Sequence, residues 1–172
     1  MTSDPTTSSA TSGGPGGSEQ ASLLQTAREV MEQASFGALA TLGSGGFPFA
    51  SLVALASAED GGGPVLLLSR LAVHTQNLAR DQRASLLILG ATGAPGEDLL
   101  GGPRLTLTGT VVSVERDATL TARFLARHPE AAGYIGFADF GFYRLHPAAV
   151  HLVAGFGRVG DILPAALFGP TR

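Results

Sequence analysis

The chain has 172 residues, 44% of them hydrophobic, and its 11 basic residues against 14 acidic ones give a formal net charge of -3. That length and apolar content suit a single domain with one continuous core, while the absence of Cys excludes disulfides, thiolate zinc sites and a cysteine nucleophile. All the basic residues are Arg, and no sequence-wide positive field exists to collect a phosphate backbone, so nucleic acid is not an expected partner.

Residues 1–18 are mostly Thr, Ser, Gly and Pro, without the basic and apolar regions of a secretory signal, and the expectations are a disordered tail and a cytoplasmic protein. The uncharged apolar runs are far shorter than the roughly 18 residues of a membrane-spanning helix, so no membrane partner is expected. From Ser18 onward Leu23, Leu24, Ala27, Val30, Met31 and Ala34 recur with helical spacing, which predicts an amphipathic helix closed by Ser35-Phe36-Gly37. Ala38 to Leu42 reads as a strand, Gly43 to Gly46 as a turn, and Phe47 to Leu55 as the return strand, with Pro48 near its start where a missing N–H is tolerated.

Val65 to Ser69 is a strand apolar enough to be buried on both faces, and Leu71 to Arg80 has helical spacing. Ala84 to Leu89 returns as a strand, Gly90 to Gly102 is a glycine-rich loop, and Arg104 to Glu115 alternates with a parity slip near Gly109 that predicts a bulge. Asp117 caps a further helix that His128-Pro129 ends, and Phe140 to Leu145 and Val150 to Ala154 look like closing strands. The fold expected is mainly β in an α+β sense: a six-stranded antiparallel barrel with flanking helices over residues 19–160, followed by a C-terminal tail over 161–172.

The strongest chemical signal is Leu67 to Leu78, where a buried strand hands over to a helix. A helix start presents unpaired N–H donors and the positive end of its dipole, and Ser69, Arg70, His74, Thr75 and Asn77 add donors suited to phosphate oxygens. Ser69 as a simple N-cap and His74 as helix surface is the plainer alternative. Gly155-Phe156-Gly157-Arg158-Val159-Gly160 spells a dinucleotide fingerprint but lacks the following helix and distant acid, so it reads as a glycine-permitted turn. His128, His146 and His151 form no metal-binding spacing and no metal is expected; Gly43-Ser44-Gly45 is too short for a nucleophile elbow, and Glu97 and Asp98 are adjacent loop charges rather than an acid-base pair.

Ala38 to Leu42, Phe47 to Val53, Leu68 to Leu78, Pro103 to Gly109 and Ala149 to Arg158 appear in an order that resembles the FMN-binding split-barrel proteins related to pyridoxamine 5′-phosphate oxidase, in particular their haem-utilisation branch. The resemblance implies a split β-barrel homodimer with two clefts, each holding one FMN, and a flavin-dependent oxidoreductase acting on an unknown small molecule; a non-catalytic flavin- or haem-binding module is the alternative. By position it assigns Ala50, Ser51 and Leu52 to the strand along the flavin, and Ser69, Arg70, His74, Thr75, Gln76 and Asn77 to the ribityl and phosphate segment. It assigns Arg104 to a stretch reaching in from the second subunit and Arg158 to a basic position near the cofactor, and it names no catalytic acid. The oxidase uses an Arg-Lys pair on the phosphate and this chain has no Lys, so Arg70 or Arg83 has to compensate. Haem-degrading members carry a C-terminal extension, whereas this chain stops twelve residues after Gly160, which sets haem binding above haem oxygenation as the expectation for that branch.

Overall fold

A computed structural model describes residues 15–57, 61–90 and 98–170. The chain runs α1 (Pro15–Gln33), β1 (Phe36–Leu42), β2 (Pro48–Ala56), β3 (Val65–Ser69), α2 (Val73–Arg80), β4 (Arg83–Leu89), β5 (Arg104–Val114), α3 (Ala118–Arg127), a 3₁₀ turn (Pro129–Gly133), β6 (Phe140–Val153), β7 (Val159–Ile162) and α4 (Pro164–Phe168). Every strand pairing is antiparallel, in the order β3-β2-β1-β4-β5-β6-β7, and the pairing of β3 with β6 closes the first six strands into a barrel with β7 outside it. The strand-helix-strand step from β3 to β4 is not a parallel crossover, because α2 carries the chain past β2 to the far side of β1.

Alternation accounts for the barrel interior: Leu39, Leu55, Leu66, Leu86, Ile88, Leu105, Leu107, Leu145 and Leu152 are fully buried in one cluster, with Leu23, Ala27, Val30 and Met31 of α1 packed against it. The wholly apolar β3 is explained by two cores. Leu66 and Leu68 point into the barrel, while Val65 and Leu67 join Phe124, Ala131, Ile135 and Phe142 in a second cluster beneath α3 and the 3₁₀ turn. Asp117 caps α3 by accepting from the Leu120 N–H at 2.7 Å, as its position before an apolar run predicts.

The expected bulge lies between Thr108 and Gly109, where the register against β6 slips. The same slip explains why β6 is one strand of 14 residues rather than two. Pro147, which reads as a turn residue, pairs with Gly109 at the irregularity, where the ladder can spare its missing N–H. His146 therefore sits in a strand and not in a turn.

The C-terminal end departs most from expectation. Residues 161–168 are not a tail, because β7 adds to β6 through Val150↔Ile162 and Val153↔Val159, Ile162 is buried, and α4 packs near α1, with the Arg28 guanidinium donating to the Ala166 carbonyl. At the other end α1 begins at Pro15, a turn earlier than predicted, and the rest of the expected N-terminal tail, residues 1–14, lies outside the described residues. Gly155 and Gly157 both have positive φ in the β6–β7 turn, as the glycine-turn reading requires. His128 is buried rather than a surface helix end: Nε2 lies 2.9 Å from the Leu55 carbonyl and the ring packs against Phe124 and Phe36. No helix among the described residues is long and apolar enough to cross a membrane.

A Cβ added at Gly109 would meet the His146 carbonyl oxygen at 2.0 Å, whereas one added at Gly133 would meet nothing within 4 Å. Gly109→Ala is therefore expected to destabilise the fold by about 2 kcal/mol or more, and Gly133→Ala by less than about 0.5 kcal/mol. Urea denaturation of the two variants checks this, and equal midpoints would contradict the bulge geometry.

Candidate functional site

Strand parity divides the predicted site residues before any chemistry is considered. On β2, Ala50 and Leu52 face outward, while Ser51 faces the barrel end that α2 covers. There Ser51 Oγ lies 3.0 Å from His74 Nδ1, and Asn77 Nδ2 donates to Thr41 Oγ1 of β1 at 3.1 Å. Arg80 Nη2 donates to Asn77 Oδ1 at 2.7 Å, so α2 is fastened across β1 and β2 by side-chain hydrogen bonds that are largely buried. Burial lowers the His74 pKa from its ordinary value of 6.5, which favours the neutral imidazole.

The junction ahead of α2 is occupied by protein groups. Ser69 Oγ donates to Asp139 Oδ2 at 2.5 Å and accepts from the Leu71 N–H at 3.1 Å; Arg70 Nη2 donates to the Ala138 carbonyl at 2.6 Å; Gln76 Nε2 donates to the Leu71 carbonyl at 3.1 Å. Ser69 is not the N-cap, which is Ala72, without a side-chain cap bond. Thr75 stands apart: it is 5% exposed and its Oγ1 has no hydrogen-bond partner, the one buried side-chain polar atom so placed among the described residues.

Arg104 and Arg158 lie elsewhere in the same protomer. The pairings Ala50↔Ala40, Ala40↔Ser85 and Ser85↔Thr108 put Arg104 three strands across and four residues along from Ala50. Its Nη1 donates to the Leu100 carbonyl at 2.8 Å, and Arg158 Nη2 donates to Ser22 Oγ of α1 at 2.8 Å. Thus the structure joins Ser51, His74, Thr75 and Asn77, puts Ser69 and Arg70 in a neighbouring loop network, and leaves Arg104 and Arg158 at the opposite end of the barrel.

Two cavities lie along the outward side of β1, and sequence reasoning had not grouped their residues. One, of about 400 Å³, is bounded by Phe36, Ala38, Leu52, Leu87 and Leu89; the other, of about 280 Å³, by Ala40, Leu42, Pro48, Arg83 and Ser85. They follow one another along the outward face of β1, which is about 20 Å long at a strand's rise per residue, and this face is termed the trough. Ala38 and Ala40 are its floor, and residues of β2 and β4 are its walls. Leu52 is 75% exposed and Phe36 52%, an outlay of apolar surface that a soluble barrel normally covers. The signal for it was present as alternating alanines in Ala38-Leu39-Ala40, whose small side chains leave room above the sheet.

A family described as CREG, beta-barrel, matches residues 19–168. The non-canonical haem oxygenase HOZ, chloroplastic, of Arabidopsis thaliana is 37% identical over 138 residues, which cover 78% of this chain and 41% of that protein; the chain thus spans less than half the length of this relative. A haem-binding protein from Mycobacterium smegmatis is 34% identical, with a TM-score of 0.76 over 84% of this chain and 59% of that one. HutZ, the haem storage protein from Vibrio cholerae, is 25% identical, with a TM-score of 0.58 over 77% of this chain and 94% of that one.

A neutral, half-buried His74 makes stability depend on pH with a definite sign. Its folded pKa is below the unfolded value, so its full contribution is present above 6.5 and is lost as pH falls through the lowered folded value. The urea midpoint is expected to fall between about pH 7 and pH 5, and His74→Gln to flatten part of that fall. An identical slope in the variant would contradict the assignment.

Proposed function

The chain belongs to the CREG β-barrel family of split barrels similar to pyridoxamine 5′-phosphate oxidase, and on that premise we propose that it is a haem-utilisation protein which binds haem along the β1 trough and supports its oxidative degradation. The observation that carries this reading is the trough itself: an exposed apolar strip with an alanine floor, suited to the face of a planar hydrophobic ring. Ala38, Ala40, Ala50, Leu52 and Leu87 would pack against the ring, and burying that area on both partners is the main source of affinity. Haem when bound would supply an iron centre for reaction with O2, the electrons coming from an external donor. The protein's part is to exclude water from the ring face, to orient it, and, through the Ser51–His74 contact, to fix the end of the barrel beside it. The haem-related functions of relatives at 37%, 34% and 25% identity support the same reading.

FMN is the second reading, and one observation favours it: the unpartnered Thr75 Oγ1 lies in the first turn of α2, where helix N–H groups also point outward. Other features oppose it. Ser69 and Arg70, the residues expected to hold the phosphate, are bonded to Asp139 and Ala138, and the Asp139 carboxylate would repel a phosphate dianion there. A second copy of the chain is the proposed cover for the trough, since the exposed strip from Phe36 to Leu52 needs an apolar partner and Arg104 cannot reach Ala50 within one protomer.

Titration of the purified protein with haem is expected to produce a Soret band saturating at one haem per chain, and Leu52→Glu to weaken it roughly tenfold or more by placing a carboxylate against the ring. Ascorbate under air should then bleach the band in the wild type. A stable band would remove the degradation claim, absence of any band the haem claim, and sedimentation at the mass of a single chain the second copy.

A further inference from the structure

Among the described residues that line either cavity of the trough, one side chain is charged: Arg83, at the β4 wall where the strand leaves α2. It is exposed but not loose. Its Nε lies 3.0 Å from Asp81 Oδ1, its Nη2 lies 2.6 Å from Asp81 Oδ2, and its backbone N–H donates to Asp81 Oδ1 at 3.0 Å. With a further contact of 3.2 Å from Nε to Oδ2, Asp81 is bound four times by one residue, with a side chain 29% exposed. The hydrogen bond from the Arg83 side chain is the main reason that the Asp81 pKa falls to about 2, so the carboxylate stays ionised and the clamp persists through neutral and mildly acidic pH.

A guanidinium carries five N–H donors in a fixed plane, and the fork on Asp81 uses the Nε edge. The side-chain bonds to Asp81 use Nε and Nη2, and none uses Nη1. Two residues further along β4, on the same face, Ser85 lines the same cavity and adds a hydroxyl. The other arginines named for the site are committed differently: Arg70 donates to the Ala138 carbonyl, Arg104 to the Leu100 carbonyl of its own loop, and Arg158 to Ser22. Arg83 is six residues from Leu89 along β4, about 20 Å, so the charge sits at one end of an otherwise uncharged trough.

We propose that Arg83, held by Asp81 and assisted by Ser85, is the anchor for the anionic arm of the planar ligand that lies in the trough, a carboxylate of a tetrapyrrole or the phosphate of a flavin. This rests on the reading of the trough as the ligand site and assigns what that reading leaves open: which end of the ligand lies where. The apolar strip gives affinity without direction, because Ala38, Ala40, Leu52 and Leu87 would accept a ring in more than one orientation. One oriented fork at one end selects among them. The Asp81–Arg83 pair is close to neutral as a unit, so its role is directional bonding and the expected effect is correspondingly moderate.

The test compares each ligand with a form lacking its anion: iron protoporphyrin IX against its dimethyl ester, and FMN against riboflavin, each titrated into the wild type, Arg83→Gln and Arg83→Lys, with far-UV circular dichroism and melting to verify folding. The wild type should favour the acid tetrapyrrole over its ester by roughly threefold to fivefold, Arg83→Gln should reduce that ratio to near one, and Arg83→Lys should retain part of it. The same pattern confined to FMN and riboflavin would uphold the anchor with phosphate as its group and overturn the haem reading. Binding with an unchanged acid-to-ester ratio in Arg83→Gln would overturn the anchor and leave the trough standing. Failure of all four probes to bind would overturn both.

Discussion

The pairing of β3 with β6 is the constraint on which the rest depends. Five registered residue pairs, from Val65↔Arg144 to Ser69↔Phe140, turn an open antiparallel sheet into a closed barrel and remove two exposed strand edges at once. Closure forces alternate residues of six strands inward, where side chains such as Leu39, Leu66, Leu86 and Leu107 fill the interior. It also forces the remaining residues outward. Around β3, α3 and the 3₁₀ turn cover that outward set; around β1 nothing in the described protomer does. The trough is therefore what closure leaves uncovered, not a pocket hollowed from the core.

Parity explains how neighbouring site residues come to do different work. Ser51 lies between Ala50 and Leu52 in sequence but on the other side of the sheet, and a one-residue change of register would exchange their roles. The inward member fastens α2 through His74, while Leu52 of the outward pair walls the trough. With Asn77 bonded to Thr41 on the adjacent strand, two hydrogen bonds set the helix against the barrel end and thereby set where β4, and with it Arg83, begins.

Most of the architecture was legible because its signals are local. The alternating strands, the Asp117 cap, the slip at Gly109 and the glycine turn at Gly155 and Gly157 each follow from residues within one element. What failed was non-local. Pro147 reads as a turn until Gly109, on another strand, supplies the bulge that accommodates it, and Val159–Ile162 is too short and glycine-broken to announce a strand without β6 beside it. His128-Pro129 has the local form of a helix end, yet its burial is decided by the Leu55 carbonyl, 73 residues away. In the site, the donors of Ser69 and Arg70 were visible, whereas the bonds of Arg70 Nη2 to the Ala138 carbonyl and of Ser69 Oγ to Asp139 were not, since those partners lie 68 and 70 residues on.

The balance of forces at the trough then follows from composition. A chain with net charge -3 and no Lys cannot gather an anionic cofactor by its general field. Apolar burial contributes about 2.5 kcal/mol for each 100 Å² removed from water, so covering even a few such units outweighs a single solvent-exposed ion pair, which typically contributes under about 1 kcal/mol. Affinity for the proposed ligand would therefore come from the alanine floor and its leucine walls, and charge would act on orientation. That division favours a ligand with a broad apolar ring over one whose binding depends on a strongly held phosphate. On the proposed reading no lysine is needed: where a ring supplies the attraction, one well-placed arginine would fix its direction.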